Sequence, residues 1–226
     1  MCGPLHAGFA MSFRFFDPLG PLAITQGHLP HWDQSGATYF ITWRTADSIP
    51  KQVWERWRLE RDDWLLDRGI DTEVKDWRLL VEELTDGERR DFRQFTTQLE
   101  SEVDACHGAC VLRDPNLRQI VVDTLRCFDG QRYKLGDFVV MPNHVHVLVG
   151  GMARETMLAQ VVSWKRWTAK QINQALGQRG RFWQDESFDH LVRNEAAFMK
   201  FRRYISENPA KAGLKEDEFT LWQRAD

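Results

Sequence analysis

Hydrophobic positions along the chain follow two different spacings. Four segments are rich in β-branched and aromatic residues, in alternation or in short runs, which is the pattern of strands. Between them, apolar residues recur at three- and four-residue intervals, which predicts helices. The predicted strands are 38–44, 132–141, 144–149 and 188–192; the predicted helices lie within 50–108, begin at Asp114, cover 155–176 and begin again near Asn194.

The order of these elements predicts the fold class. Strand, helix, hairpin, helix, strand and helix is an α+β order, which suits an antiparallel sheet covered on one face by helices. Residues 1–36 are rich in Gly and Pro without a sustained period, so they are predicted to form an extended N-terminal segment. Residues 37–214 then form a single domain with a helical insertion at about 50–108, and residues 215–226 form a C-terminal tail.

Capping and turn residues mark several boundaries. Thr85-Asp-Gly-Glu88 fits a capping box that opens one helix of the insertion, and Asp114-Pro115 starts the next helix. Pro142-Asn143 is turn chemistry between the two strands of the hairpin. Pro209 disfavours helical backbone at Asn208, so the last helix is predicted to end there.

Charge is unevenly distributed along the chain. A net charge of −3 over 226 residues argues against attraction of the whole protein to nucleic acid. Residues 51–105 contain ten Lys/Arg and sixteen Asp/Glu, a balance of −6, whereas residues 164–203 contain nine and four, a balance of +5. The basic segment is therefore a candidate phosphate-binding surface, with a solvated helix face as the alternative interpretation.

Composition argues against several classes of protein. The chain has no run of eighteen apolar residues, so no membrane span is expected, and its start lacks the basic and apolar segments of a secretory signal. Four scattered cysteines indicate unpaired thiols in a reducing cytoplasm, which is the expected location. Cys106, His107 and Cys110 lack the spacing of a zinc knuckle, and no second pair completes them.

The most informative motif is Met141-Pro-Asn-His-Val-His-Val-Leu-Val149. Side chains of a strand alternate between its faces, so His144 and His146 point the same way. Two adjacent imidazoles are typical of a metal-binding pair. A half-buried, hydrogen-bonded pair is an equally good interpretation of this motif alone.

The final helix supplies residues that can complete the pair. Tyr204 and Asn208 are four residues apart, so they lie on the same helix face about one turn from each other. The amide oxygen of Asn208 is a candidate third metal ligand, and the phenol of Tyr204 could attack a group that the metal holds. Tyr39 and Tyr133 fall in predicted strands and are interpreted as structural.

Together these residues resemble a known family. The histidine motif, followed by Tyr204-Ile-Ser-Glu-Asn-Pro-Ala-Lys-Ala-Gly-Leu214, is similar to the single-tyrosine HUH transposases, and most of all to the REP-associated tyrosine transposases. The helical insertion and its acidic balance depart from the compact members. The resemblance covers roughly residues 29 to 214 and includes Leu29-Pro-His-Trp32, Tyr39-Phe-Ile-Thr-Trp-Arg44, Phe182-Trp-Gln184 and His190-Leu-Val-Arg-Asn-Glu195.

The resemblance implies a ferredoxin-like, HUH transposase-like fold and a divalent metal, Mg²⁺ or Mn²⁺, held by His144 and His146. It implies that Tyr204 is the nucleophile that cuts and rejoins single-stranded DNA through a covalent 5′-phosphotyrosine intermediate. The DNA would carry imperfect hairpins, as REP palindromes do. Asn208 stands at the third-ligand position, where many related transposases have glutamine. A monomer is the expected state, as in the REP-associated branch.

Basic and aromatic residues near these motifs are candidates for DNA contacts. Positive charges suit phosphate contacts and aromatic rings suit stacking on unpaired bases, although core packing is the favoured interpretation of Trp164, Trp167 and Trp183. The candidate basic residues are Lys165, Arg166, Lys170, Arg202, Arg203 and Lys211.

Three other functions fit parts of the sequence. A HUH nickase of the replication or conjugation type would use the same chemistry, although such enzymes usually carry larger accessory domains. A hydrolytic metalloenzyme would use the two histidines to activate water, and Tyr204 would then be structural. A catalytically silent hairpin-binding protein would bind nucleic acid without metal-dependent cutting.

Overall fold

The computed structural model describes residues 13–15, 23–26, 30–49, 51–74, 77–104 and 106–225. The predicted N-terminal segment, 1–36, lies largely outside these residues; its described part includes a small sheet of two antiparallel strands, β1 and β2. The strands are β1 (Ala23–Gln26), β2 (Pro30–Asp33), β3 (Tyr39–Arg44), β4 (Lys134–Val140), β5 (His144–Gly150), β6 (Phe188–Leu191) and β7 (Thr220–Trp222). The helices are α1 (Lys51–Leu66), α2 (Trp77–Glu82), α3 (Asp86–Asp104), α4 (Pro115–Arg126), α5 (Arg154–Ala175) and α6 (Glu195–Lys211).

The main sheet has five antiparallel strands in the order β6-β3-β5-β4-β7. Without β7, the order along the chain is strand β3, helices, the hairpin strands β4 and β5, helix α5 and strand β6. In the sheet, β3 lies between β6 and β5. That is the arrangement of a ferredoxin-like sheet. The predicted α+β class with an antiparallel sheet and helices is therefore confirmed.

One face of the sheet forms the main hydrophobic core. Alternate residues of β3 and β5 point to this face, where α4 and α5 cover them. The N-terminus of α4 is capped as predicted, because the Asp114 carboxylate accepts a hydrogen bond from the Asn116 amide at 2.8 Å. Members of this core include Ile41, Trp43, Val121, Leu125, Val145, Val147, Val161 and Trp164.

The opposite face of the sheet is covered by α6, so the prediction that helices lie on one face of the sheet is wrong in this respect. Phe40 and Thr42 of β3 point to this face, as do His144 and His146 of β5, and the ring of Phe40 lies 4.4 Å from that of Phe201 on α6. The histidine pair therefore lies between the sheet and a helix rather than in the main core.

The helix α6 differs from its predicted extent. The prediction that it ends at Asn208 is wrong, because the helix continues to Lys211 with Pro209 inside it. Proline removes one helical hydrogen bond, but Pro209 stands in the last turn and is buried, so packing retains the helical backbone. Asn208 consequently keeps its place on the same helix face as Tyr204.

The segment after residue 214, predicted to be a tail, contains a strand. Residues Thr220–Trp222 form β7, which pairs with β4, and the Trp222 ring stacks on Phe138 at 5.4 Å. The Arg118 side chain of α4 holds this segment by donating to Thr220 Oγ1 and to the Asp217 carbonyl oxygen, each at 2.8 Å.

Residues Asp47–Ala109 form a second compact unit, consisting of α1, α2 and α3. Its small core contains Leu65, Ile70 and Trp77. The predicted capping box is confirmed, since Glu88 accepts from the amide of Thr85 at 3.0 Å and the Thr85 hydroxyl accepts from the amide of Glu88 at 3.3 Å. Across both units, no described helix is long and apolar enough to cross a membrane, and the three described cysteines form no disulfide.

Candidate functional site

Strand alternation places His144 and His146 side by side on the face of β5 turned toward α6. Their ring centroids are 4.7 Å apart, and the two side chains are essentially inaccessible to solvent. The turn before them is fixed by backbone hydrogen bonds, because the Met141 amide donates to the His144 carbonyl oxygen and the Thr45 amide donates to that of Asn143, each at 2.8 Å. The pair is therefore held by a rigid hairpin.

Each histidine has a polar partner at Nδ1. The Asn143 side-chain oxygen lies 2.7 Å from Nδ1 of His144, and the Thr42 hydroxyl lies 2.7 Å from Nδ1 of His146. An amide oxygen only accepts, so the Nδ1 of His144 carries the hydrogen and its Nε2 carries the lone pair. Such partners fix the tautomer and the ring orientation of metal-binding histidines.

The environment favours neutral imidazoles. Burial is the largest cause that holds the pKa of both histidines well below the ordinary range, and the positive charge of Arg44 lowers both further. Proximity to His146 also lowers the pKa of His144, whereas a side-chain hydrogen bond with Asn208 acts in the opposite direction. Neutral imidazoles present lone pairs at neutral pH, which is the state that binds a metal.

The helix α6 brings Asn208 to the histidine pair. Asn208 is fully buried, and its side chain is close enough to His144 to act on the pKa of that imidazole, although the two residues are far apart in sequence. The Nε2 atom of His146 is also buried, and it has no hydrogen-bonding partner among the residues that the structure describes. Burying a ring nitrogen without a hydrogen-bonding partner costs free energy, and such a cost is expected where the nitrogen binds a ligand.

The donor set of His144, His146 and Asn208 fits a divalent metal. Two imidazole nitrogens and an amide oxygen are N/O ligands, which suit Mn²⁺ well and Mg²⁺ less well. Within the described part of the chain, no group of three or more His, Cys, Asp or Glu side chains is arranged to hold a metal. The set of His144, His146 and Asn208 is not a group of that kind, because its third member is an amide.

Tyr204 lies one helical turn before Asn208 and next to the same histidines. Its ring centroid is 5.1 Å from that of His146, and the ring meets Phe40 edge-on at 5.8 Å. The side chain is half-buried, so solvent or a ligand can reach it. The Nζ atom of Lys211 lies 5.6 Å from the centre of the Tyr204 ring.

A buried ion pair attaches α6 to the sheet beside this tyrosine. Arg202 donates from Nε to the carboxylate of Asp137 at 2.9 Å, and Asp137 is only 1% exposed. The same carboxylate accepts from the amide of Arg224, whose carbonyl oxygen accepts from Arg202 at 2.9 Å. The segment after β7 therefore helps to fix the helix that carries Tyr204.

The predicted DNA-binding residues fall into two groups. On α5, Lys165 is buried and donates to the carbonyl oxygens of Asp185 and Glu186 at 2.8 and 3.4 Å, and desolvation lowers its pKa. Arg166 and Lys170 are exposed on the same helix, which lies on the sheet face away from the histidines.

On α6, Arg202 is ion-paired as described, whereas Arg203 and Lys211 are exposed near Tyr204. DNA contact by these six residues stays a prediction.

The three tryptophans considered for stacking on DNA bases differ in how far they are buried. Trp164 and Trp183 belong to the main core, as the favoured interpretation held. For Trp167 the interpretation as core packing is wrong, because this side chain is 54% exposed and does not belong to that core.

Sequence reasoning missed several residues that shape the site. Arg44 pairs with His144 across β3 and β5, and Thr42 pairs with His146 in the same register. Phe40 packs against the rings of both His146 and Tyr204. Alternation along the first predicted strand would have placed these three residues on one face, but the pairing register that sets them beside the histidines is a tertiary property.

Comparison with known proteins gives one likeness. No family model and no curated protein matches the chain. Among solved structures, the chain is similar to the structure of a REP-associated tyrosine transposase bound to a REP hairpin, with 18% sequence identity, 84% of this chain and 77% of that chain covered, and a TM-score of 0.42.

Proposed function

We propose that this protein is a metal-dependent single-stranded DNA endonuclease and strand transferase of the REP-associated tyrosine transposase type. The observation that carries the proposal is the meeting of four side chains from two distant segments. His144, His146 and Asn208 are buried together, and the half-buried Tyr204 ring is 5.1 Å from His146. The resemblance of the two motifs to that family points to the same chemistry.

In this proposal His144, His146 and Asn208 would hold a Mg²⁺ or Mn²⁺ ion. The ion, when bound, would neutralise the charge of the scissile phosphate and polarise its P–O bonds. The two histidines contribute lone pairs at Nε2, since Nδ1 of each is engaged by Asn143 or Thr42. The rigid hairpin keeps these ligands in place without the cost of ordering them on binding.

Tyr204 would be the nucleophile. Its phenol oxygen gives up its proton and attacks phosphorus, the bond from phosphorus to the 3′ oxygen breaks, and the 3′ oxygen takes up a proton and leaves as a hydroxyl. An ordinary phenol, with a pKa of about 10, is a weak nucleophile near neutral pH, so negative charge on the oxygen needs nearby positive charge. Lys211 is close to the Tyr204 ring, and Arg44 lies beside the histidines. Reversal by a 3′-hydroxyl rejoins the strand without an external energy source.

The proposed substrate is single-stranded DNA next to an imperfect hairpin, and the proposed acting species is a cytoplasmic monomer. Exposed Arg166, Lys170, Arg203 and Lys211 are the candidates for phosphate contacts. Because the anchored α6 belongs to the same chain as the histidines, Tyr204 can act within its own subunit.

The test is formation of a covalent protein–DNA adduct. Purified protein is incubated with Mn²⁺ and a labelled single strand that carries a hairpin, and the products are separated in SDS. We expect an SDS-resistant adduct that EDTA prevents and that Tyr204→Phe abolishes. Tyr133→Phe is the matched control, since Tyr133 is buried and donates its hydroxyl to the Leu125 carbonyl oxygen at 2.8 Å, away from the histidines.

The same assay separates the alternative functions. Cleavage that survives Tyr204→Phe would instead identify a hydrolytic metalloenzyme that activates water. Hairpin binding without cleavage or adduct, under metal concentrations that saturate the protein, would identify a silent binding protein. Either result refutes the proposed transferase.

A further inference from the structure

We propose that Phe188 and His190, on the outer strand of the sheet, form a stacking site for unpaired bases of the DNA strand whose phosphate reaches the histidine pair. This inference rests on the proposed function for the identity of the strand. The stacking site itself is argued from the arrangement of aromatic rings, exposure and charge along one face of the sheet.

A continuous row of rings leads from the metal-ligand candidates to the sheet edge. Phe40 stacks on His146 at 5.5 Å and on Phe201 at 4.4 Å. The Phe201 ring lies 5.3 Å from His190, and His190 stacks with Phe188 at 6.2 Å. Each of these distances is within the range of aromatic contact.

The pairing of the strands independently places Phe188 and His190 on the same face of the sheet as the histidine pair. Thr42, which contacts His146, is paired with Phe188 across β3 and β6, and Phe40 is paired with His190. Two strand spacings separate the row of His146 from that of Phe188, which is roughly 10 Å. A base stacked on Phe188 would therefore belong to a nucleotide close to the phosphate at the histidines.

The outer end of the row is open to a ligand. β6 is an edge strand, and Phe188 is 58% exposed. The strand is nevertheless held firmly, because Asp189, which points to the opposite face, forms an ion pair with Arg154 at 3.0 Å where both side chains are about nine-tenths buried. A large exposed ring on an anchored edge strand presents a flat, preorganised surface.

Charge at this end of the row favours an anionic partner. Partial desolvation is the main cause that lowers the pKa of His190. The positive charges of Arg193 and Lys200 lower this pKa further, whereas the negative charge of Asp189 raises it. Arg193 and Lys200 are both exposed, so two cations lie near the exposed ring of His190. Aromatic platforms bordered by cations are the pattern of proteins that bind unpaired strands, in which bases stack and the backbone meets positive charge.

The experiment measures binding of a fluorescent single strand that carries a hairpin and an unpaired flank. Anisotropy is recorded in EDTA, so that no cleavage occurs. Phe188→Ala is expected to weaken binding roughly 5- to 150-fold, the range for loss of one base stack, whereas Phe188→Trp retains it. Trp54→Ala is the control, because Trp54 is a 43% exposed ring in the Asp47–Ala109 unit that takes no part in the row of rings, and it is expected to bind as the unaltered protein does.

A second substrate tests whether bases are what the rings contact. When the unpaired flank is replaced by abasic positions, the difference between Phe188→Ala and the unaltered protein should disappear. Equal affinities of Phe188→Ala and the unaltered protein for the normal strand would overturn the inference, and Phe188 would then be a surface for a different partner. An effect that persists on the abasic strand would overturn it too.

The adduct assay keeps this inference distinct from the proposed function. Loss of affinity in Phe188→Ala without any Tyr204 adduct in the unaltered protein would retain the stacking site and refute the transferase. An adduct in the unaltered protein together with unchanged binding by Phe188→Ala would refute the stacking site alone.

Discussion

Replacing Thr42 by valine tests whether the histidine pair is built to bind a metal. The Thr42 hydroxyl is 2.7 Å from Nδ1 of His146, and both residues are buried. Valine keeps the shape of threonine but replaces this oxygen with a methyl group. The substitution therefore removes the hydrogen-bonding partner of a histidine without changing the ligand itself.

The magnitude follows from the role of such partners. Loss of a hydrogen bond to the second nitrogen of a metal-binding histidine typically lowers metal affinity by roughly 10- to 100-fold. This corresponds to about 1.4–2.8 kcal/mol of binding free energy. In the absence of metal, Nδ1 is left buried without a partner, so the free energy of unfolding is expected to fall by about 1–3 kcal/mol.

The assay is titration with Mn²⁺, in which free Mn²⁺ is measured by electron paramagnetic resonance. Thr45→Val is the matched control: Thr45 is buried three residues further along, and its hydroxyl has no hydrogen-bonding partner among the described residues. We expect Thr42→Val to weaken Mn²⁺ binding at least tenfold and Thr45→Val to leave it unchanged. Equal Mn²⁺ affinities of the two variants would refute the reasoning.

Two further predictions concern residues around the site. Asp137→Asn leaves the Arg202 guanidinium without its charged partner in a site where that side chain is 16% exposed, so α6 should lose roughly 3–5 kcal/mol of stability. Hydrogen exchange of the α6 amides should then accelerate, while the exposed Asp123→Asn leaves it unchanged; unaltered exchange in Asp137→Asn would contradict this. Lys165→Met should not alter the salt dependence of DNA binding, since backbone carbonyls hold that ammonium, whereas Arg166→Ala should reduce the salt slope by about one. A reduced slope in Lys165→Met would show that this lysine faces DNA.

Local patterns in the sequence were sufficient to predict the elements that carry the site. The alternation from His144 to Val149 is a property of neighbouring residues, and so is the spacing between Tyr204 and Asn208. The caps at Thr85 and Asp114 are local as well, and they form as predicted. In each case the determining interaction lies within one turn or one strand.

Properties that depend on distant segments could not be predicted in this way. The extension of α6 through Pro209 reflects burial of that residue, which outweighs its local preference. The strand β7 exists because β4 offers it an edge and Arg118 holds it. The position of Arg44 beside His144 follows from a pairing register between segments about a hundred residues apart, and a register shift of one residue would reverse its face.

The same alternation that builds the core also gives the site its chemistry. Along β5, one set of side chains joins the aliphatic core and the other is enclosed beneath α6, so the histidines are buried without being part of that core. Burial there keeps the imidazoles neutral, and α6 contributes both Asn208 and the more accessible Tyr204. A helix lying on the outer face of a ferredoxin-like sheet therefore does two things at once: it excludes water from the proposed ligands and holds the proposed nucleophile at their edge. Because α6 is anchored through Arg202 to Asp137, both functions depend on one helix position, and a substitution that shifts this helix should impair metal binding and adduct formation together.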